Sequence, residues 1–264
     1  MTCGKTIKNI PLLATALLLS GVALAAQPLI TDDTGTQGAG GHQLEFSLTQ
    51  DRAHNRDETE RTRTFDGVYT YGLTETVDLF AGTGYSRIRA RSTSSTVSGF
   101  GNPAVGAKWR FFTSEEYGTS LAIKPEIVLP VSSAREHDGL GAGRTSGNLT
   151  AILTQAVPFG EVHVNAGLGR DRFRHNDENP TTNYKRFSIA PVWEVTEAWK
   201  LALDTGIESA RADGHTVRAR FIEVGAIYSP NKNLDVAVGA IRSVDNDSPK
   251  TTTNSLTAGL TWRF

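Results

Sequence analysis

Few residues in this chain are spaced for bond-making chemistry. Six histidines, at 42, 54, 137, 163, 175 and 215, are the side chains whose ordinary pKa suits a base near neutral pH. A membrane-embedded lipase needs a nucleophilic Ser beside a His base, and the outer-membrane phospholipase family places that His and Ser two residues apart on one strand. None of His42, His54, His137, His163, His175 or His215 is followed at that spacing by Ser. No catalytic residue is therefore assigned, and the chain is not read as an enzyme. Asp32-Asp33 and His175-Asn176-Asp177-Glu178 are the acidic runs that could attract a cation, but neither has the spacing of a calcium loop, and both read as solvated. Asp57-Glu58 with Arg61 reads the same way. Gly139 to Gly147 around Arg144 lacks the Lys-Ser/Thr of a phosphate cradle and reads as a flexible loop. The single Cys3 supports neither a disulfide framework nor a zinc site. No metal or cofactor is expected.

What remains is a set of charges at alternate positions along apolar runs. Lys108, Arg110, Lys124, Glu126, Asp78, Glu45, Arg186, Asp204, Glu208 and Glu223 all fall on the polar side of such runs, as do Asp66, Glu194, Asp235 and Arg263. Their chemistry is electrostatic: fixed charges lining a passage screen solutes by charge and size. Most of them are expected to pair across neighbouring strands, because a buried charge without a partner is costly. Lys108, Arg110 and Lys124 have Glu126, Asp78 and Glu45 as their nearest acids in strand order. A subset would form a constriction.

Side chains on a strand point to opposite faces in turn, so alternation defines what must hold these charges. Leu256, Ala258, Leu260, Trp262 and Phe264 oppose Thr257, Gly259, Thr261 and Arg263. Leu201, Leu203, Thr205 and Ile207 oppose Lys200, Ala202, Asp204, Gly206 and Glu208. The pattern recurs in about twelve segments, at 42–52, 63–73, 76–90, 98–112, 119–131, 147–157, 161–173, 183–195, 198–210, 216–229, 233–245 and 252–264. Many match the ~9–11 residues of a tilted membrane-crossing strand. Short links at 73–75, 158–160, 196–197 and 230–232 contrast with longer polar links at 53–62, 132–146, 174–182 and 246–251. That asymmetry is the mark of an outer-membrane barrel with tight periplasmic turns and extended outer loops. Trp193, Trp199, Tyr228, Trp262, Phe264, Tyr69 and Tyr71 gather near the periplasmic ends, as an interfacial girdle requires. A soluble secreted sandwich is the rival, and this aromatic placement weighs against it.

The fold class expected is an all-β antiparallel transmembrane barrel at 42–264. Residues 1–25 read as a signal peptide, with Lys5 and Lys8 before an apolar stretch and Ala23-Leu24-Ala25 at the cleavage site. Residues 26–41 form a Gly-rich periplasmic leader or plug. A formal charge of -1 argues against a nucleic-acid partner. The terminal Trp262-Arg263-Phe264 resembles the closing signature of outer-membrane strands, which implies that the barrel-assembly machinery engages the C-terminal strand.

Two stretches carry a family resemblance. Pro28-Leu29-Ile30-Thr31-Asp32-Asp33, then Gly35-Thr36 and Gln43-Leu44-Glu45, resemble the start of the outer-membrane transporter family named for the MetA (meta-cleavage) pathway of phenol degradation. Gly99-Phe100-Gly101-Asn102-Pro103 followed by Gly106-Ala107-Lys108-Trp109-Arg110 is similar to its fourth-strand region. The resemblance implies passage of small organic solutes, aromatic ones included, across the outer membrane; it transfers no site residue. The expectation is a passive outer-membrane channel whose partners are the lipid bilayer and small solutes. The alternative is a closed-lumen structural or surface-binding barrel that meets a partner through its loops at 53–62 and 132–146.

Overall fold

Each alternating run is a strand in the computed structural model, which describes residues 28–56, 58–90, 95–175 and 179–264. The expected signal peptide, Asp57, Asp177 and Glu178 lie outside the described residues. The strands are β1 (His42–His54), β2 (Thr59–Gly72), β3 (Val77–Ala90), β4 (Thr96–Phe100), β5 (Ala104–Ser114), β6 (Thr119–Val128), β7 (Arg144–Val157), β8 (Gly160–Arg172), β9 (Thr182–Glu194), β10 (Trp199–Ala212), β11 (His215–Asn231), β12 (Leu234–Asp245) and β13 (Thr252–Arg263). Neighbours in the sheet run antiparallel, and β1 pairs with β13 from Gln43–Arg263 to His54–Thr252. The sheet is thereby closed into a cylinder, in which the short β4 has β3 as its one strand neighbour.

One wall strand is broken. The lower part of β3, Val77 to Gly82, pairs with β5, while Tyr85 to Arg89 pairs with β4. The continuous strand expected at 98–112 is thus two pieces separated by Gly101-Asn102-Pro103, giving a twelve-stranded barrel with one extra strand. Pro103 has no N–H to donate to a ladder. Asn102 uses the break: its Nδ2 donates to Leu129 O at 2.7 Å and Ala142 O at 2.8 Å, and its Oδ1 accepts from Ala142 N at 2.7 Å.

Those bonds fasten the β6–β7 connection, which is not the flexible loop expected around 139–147. It contains a short helix, α1 (Ser133–His137), and buries Leu140 and Ala142, and β7 begins at Arg144. The outer side also holds a tight hairpin at Asp213-Gly214, where φ is 46° and 78°. The remaining inner turns are short, as alternation implied.

The layering is inverted relative to a soluble domain. Outward side chains are apolar and exposed, with Leu256 at 62% and Leu168 at 58%, whereas the buried inward set includes Asp204, Glu208, Glu223, Ser188, Thr253 and Thr261. Aromatic pairs ring the periplasmic rim: Trp199 with Tyr228 at 4.8 Å, Phe159 with Trp193 at 5.5 Å and Trp262 with Phe264 at 4.6 Å. An exterior of this kind is matched to lipid.

Candidate functional site

The lumen is crossed by the chain's own residues 28–41. Pro28 lies against Gly225 and Gly239 on β11 and β12, and Leu29 packs with Ala190, Val192 and Ala202 on β9 and β10. Thr31 N donates to Asp204 Oδ2 at 2.7 Å, and the Thr31 hydroxyl lies 2.7 Å from both Asp204 Oδ1 and Ser188 Oγ. Asp32 N donates to Asn165 Oδ1 at 2.7 Å while Asn165 Nδ2 donates back to Asp32 O at 2.8 Å. Further on, Thr34 N donates to Thr154 Oγ1 at 3.1 Å, and Gln37 N reaches the Asp78 carboxylate at 3.1 Å. The segment ends on β2, where Gly40 N donates to Gly72 O and Gly72 N to Gly41 O, each at 2.8 Å. A Cβ on Gly72 would fall 1.7 Å from Gly38 O, so only glycine lets the two backbones approach this closely.

Thr31 and Asp32 sit well inside the cylinder. Ser188 and Asp204 lie five or six residues in from the periplasmic ends of β9 and β10, roughly 13 Å along the barrel axis at the usual rise and tilt. Roughly half of the apolar band lies below them.

Asp32 is the electrostatic centre. Lys108 Nζ from β5 approaches its Oδ1 at 2.9 Å and Lys124 Nζ from β6 its Oδ2 at 2.6 Å, with all three side chains largely buried. Lys108 also donates to Asp33 O at 3.1 Å and lies 3.9 Å from Asp33 Oδ1. Burial pushes the Asp33 carboxyl up, but Lys108 first, then His163, the Gly35 N–H and Lys124 outweigh it, so its pKa sits below the ordinary carboxylate value.

These contacts revise the cross-strand pairing expected from sequence. Lys108 and Lys124 meet on Asp32, which was read as solvated and is 5% exposed. Asp78 accepts from the Gln37 backbone, and Glu126 accepts from Asn148 Nδ2 at 2.7 Å. Asn148 in turn accepts from the Tyr184 hydroxyl. Arg110 donates to Glu75 O at 3.0 Å, at the β2–β3 turn, away from the Asp32 centre. Glu45 is buried on β1, within electrostatic range of Lys124, Asp32 and Lys108. Arg186 pairs with Glu208 at 2.5 Å across β9 and β10, Asp204 takes Thr31, and Glu223 faces Asp204 in the β10–β11 register. At the rim Arg263 pairs with Asp235 at 2.7 Å.

Thr31, Asp32, Ser188 and Asn165 were not among the residues expected at the constriction. The signal for Asp32 was the resemblance over Pro28 to Asp33 itself. Nothing in strand alternation locates the partner of a residue that precedes the first strand.

The one Ser–His contact of interest is in the outer loops, where Ser133 Oγ and His175 Nε2 lie 2.9 Å apart. Glu136 Oε1 accepts from the backbone N–H of Arg174 at 2.6 Å and of His175 at 3.4 Å, not from the imidazole, so the group joins two loops. Among the described residues no cluster of three or more His, Cys, Asp or Glu is arranged to hold a metal ion.

Comparison with known proteins agrees with this architecture. A family profile described as "Putative MetA-pathway of phenol degradation" matches residues 31–264. Among solved structures, the COG4313 outer membrane channel from Pseudomonas putida F1 superposes with a TM-score of 0.68 at 12% identity, covering 88% of this chain and 98% of that one. The β domain of the Bordetella autotransporter BrkA gives 0.57 at 11% identity, covering 85% and 100%. The translocator domain of the autotransporter NalP from Neisseria meningitidis gives 0.53 at 14% identity, covering 88% and 91%. These likenesses establish the fold as that of outer-membrane barrels. No curated protein matches the chain.

Proposed function

The chain belongs to the MetA-pathway family of phenol degradation, and from that premise we propose that it is a passive outer-membrane channel for small organic solutes, aromatic ones included. The observation that carries the reading is a closed cylinder with a greasy outside and a charged inside, whose lumen is crossed by a segment held through polar contacts to its walls. The solute class comes from the family description, and the channel role is supported by the similarity to the Pseudomonas channel. No motor or cofactor is involved: flux follows the solute gradient.

In this reading residues 28–41 are a plug, and the Lys108–Asp32–Lys124 cluster is the constriction. Among the named lumen residues the acids Glu45, Asp78, Glu126, Asp204, Glu208 and Glu223 outnumber the bases Lys108, Arg110, Lys124 and Arg186. When the segment lifts, the open passage disfavours anions and admits neutral or cationic solutes. The inner segment also supports a second reading, a permanently closed surface-binding barrel. Purified protein in planar bilayers, with liposome swelling in small phenols and sugars, separates the two. Discrete conductance or swelling is the expected result; silence from folded protein in both assays would overturn the channel.

A further inference from the structure

We propose that Asp204 and Glu223 form one buried proton-binding site beneath Thr31, and that the proton they share seats residues 28–41 in the lumen. This rests on the reading of that segment as a plug and adds what controls it. The two carboxylates are directly opposed across β10 and β11, on the inward face, and both are 0% exposed. Asp204 is satisfied by the Thr31 N–H and hydroxyl. Glu223 is not: neither of its carboxylate oxygens has a hydrogen-bond partner. The Ile30 N–H acts on both carboxylates without closing a hydrogen bond on Glu223.

No cation answers it among the described residues. From β9, Arg186 reaches toward Asp204 but is engaged by Glu208 at 2.5 Å. From β10 the next inward charge is Glu208 itself. The inward residues of β11 beside Glu223 are Phe221 and Gly225. From β12, Gly239 and Ile241 face it without charge, and Gly239 leaves the room Glu223 fills, since a Cβ there would meet Oε1 at 2.7 Å. From the inner segment, Asp32 is held by Lys108 and Lys124. Two adjacent carboxylates out of water and without a counter-ion do not both ionise, so one proton stays with the pair. When Pro28 to Thr31 lift away, lumen water reaches both and the proton leaves. The seated form binds one proton more than the released form, so acid favours seating and base favours release, by up to about tenfold per pH unit across the titration.

The test is open probability of the full chain in planar bilayers between pH 5 and pH 9. Wild type is expected to open more as pH rises, and Glu223→Gln, which holds no titratable proton, to stay at the low-pH level throughout. Because Thr31 Oγ1 lies 2.7 Å from Ser188 Oγ, a Thr31→Cys/Ser188→Cys pair in a Cys3→Ser background supplies a lock that forms on oxidation. If the oxidised lock conducts as freely as wild type at pH 9, the plug reading itself fails. If the lock closes the channel while folded Glu223→Gln titrates like wild type, the plug stands and the proton site is overturned. The wild-type profile decides even where Glu223→Gln does not assemble: a lock that closes the channel together with an unchanging open probability from pH 5 to pH 9 also overturns it.

Discussion

Replacing Asp32 by Asn tests the centre of the lumen with little change of shape. The backbone bonds to Asn165, at 2.7 and 2.8 Å, survive the substitution, and only the charge is lost. Lys108 and Lys124 are left at 13% and 10% side-chain exposure without the carboxylate they share. Removing one partner of a buried pair costs about 3–5 kcal/mol. Asp33, 3.9 Å from Lys108, offsets part of that, which sets the expectation at the lower end, about 3 kcal/mol, or more than a hundredfold in the seating equilibrium. A Cys introduced at Thr34, which is 3% exposed, reports seating through its rate of reaction with a water-soluble maleimide in proteoliposomes. Asp32→Asn should raise that rate about a hundredfold, and adding Lys108→Met and Lys124→Met should bring it most of the way back. An unchanged rate in folded Asp32→Asn, or an equally fast rate in the neutral triple variant, would refute the electrostatic account.

Other outcomes follow from the same geometry. Lys108→Glu or Lys124→Glu should shift the reversal potential in a salt gradient toward stronger cation preference, whereas Arg110→Glu, on β5 with its guanidinium on the β2–β3 turn, and Arg144→Glu, exposed at the start of β7, should move it little; equal shifts would argue against a constriction at Asp32. Asn102→Ala removes three hydrogen bonds to the β6–β7 connection, each worth about 1 kcal/mol, and should speed protease cleavage within 129–143 without loss of the barrel in a gel-shift assay. Leu256→Arg places charge on the lipid face and should cost about 2–4 kcal/mol of folding stability near the bilayer midplane, measured by urea titration in lipid. Thr257→Arg, one residue along and inward, should leave stability nearer to wild type and change conductance.

The barrel was legible because its solvent on each face is different. Alternation of Leu256, Leu260 and Trp262 with Thr257, Gly259 and Thr261 fixes orientation one residue at a time, and each expected strand lies within a few residues of an observed one. The break at Gly101-Asn102-Pro103 was not foreseen: the outward phase shifts by one residue across it, from Phe100 to Val105 and Trp109, but Gly99 and Gly101 leave little alternation on the near side to reveal the shift. Pro103 marks it too, but one Pro near a strand end is tolerated on an edge. The inward direction of Lys108 and Lys124 was legible, but their meeting on Asp32 was not, because period two says nothing about chain that crosses the lumen. Arg110 shows the converse: it shares the inward phase with Lys108, yet its height at the rim sends it to a turn carbonyl.

The seam between the first and last strands imposes an order of events. Because β1 finds its second neighbour only in β13, the wall is an open curl until the final strand has been made. Synthesis delivers residues 28–41 long before that strand. If they are already resting on β9 and β10 when the seam zips, they are enclosed at birth; if not, they must be drawn in later, past the backbone contact at Gly40 and Gly72. Whether the newborn cylinder is stoppered is therefore decided by timing during biogenesis as well as by the strength of the contacts inside.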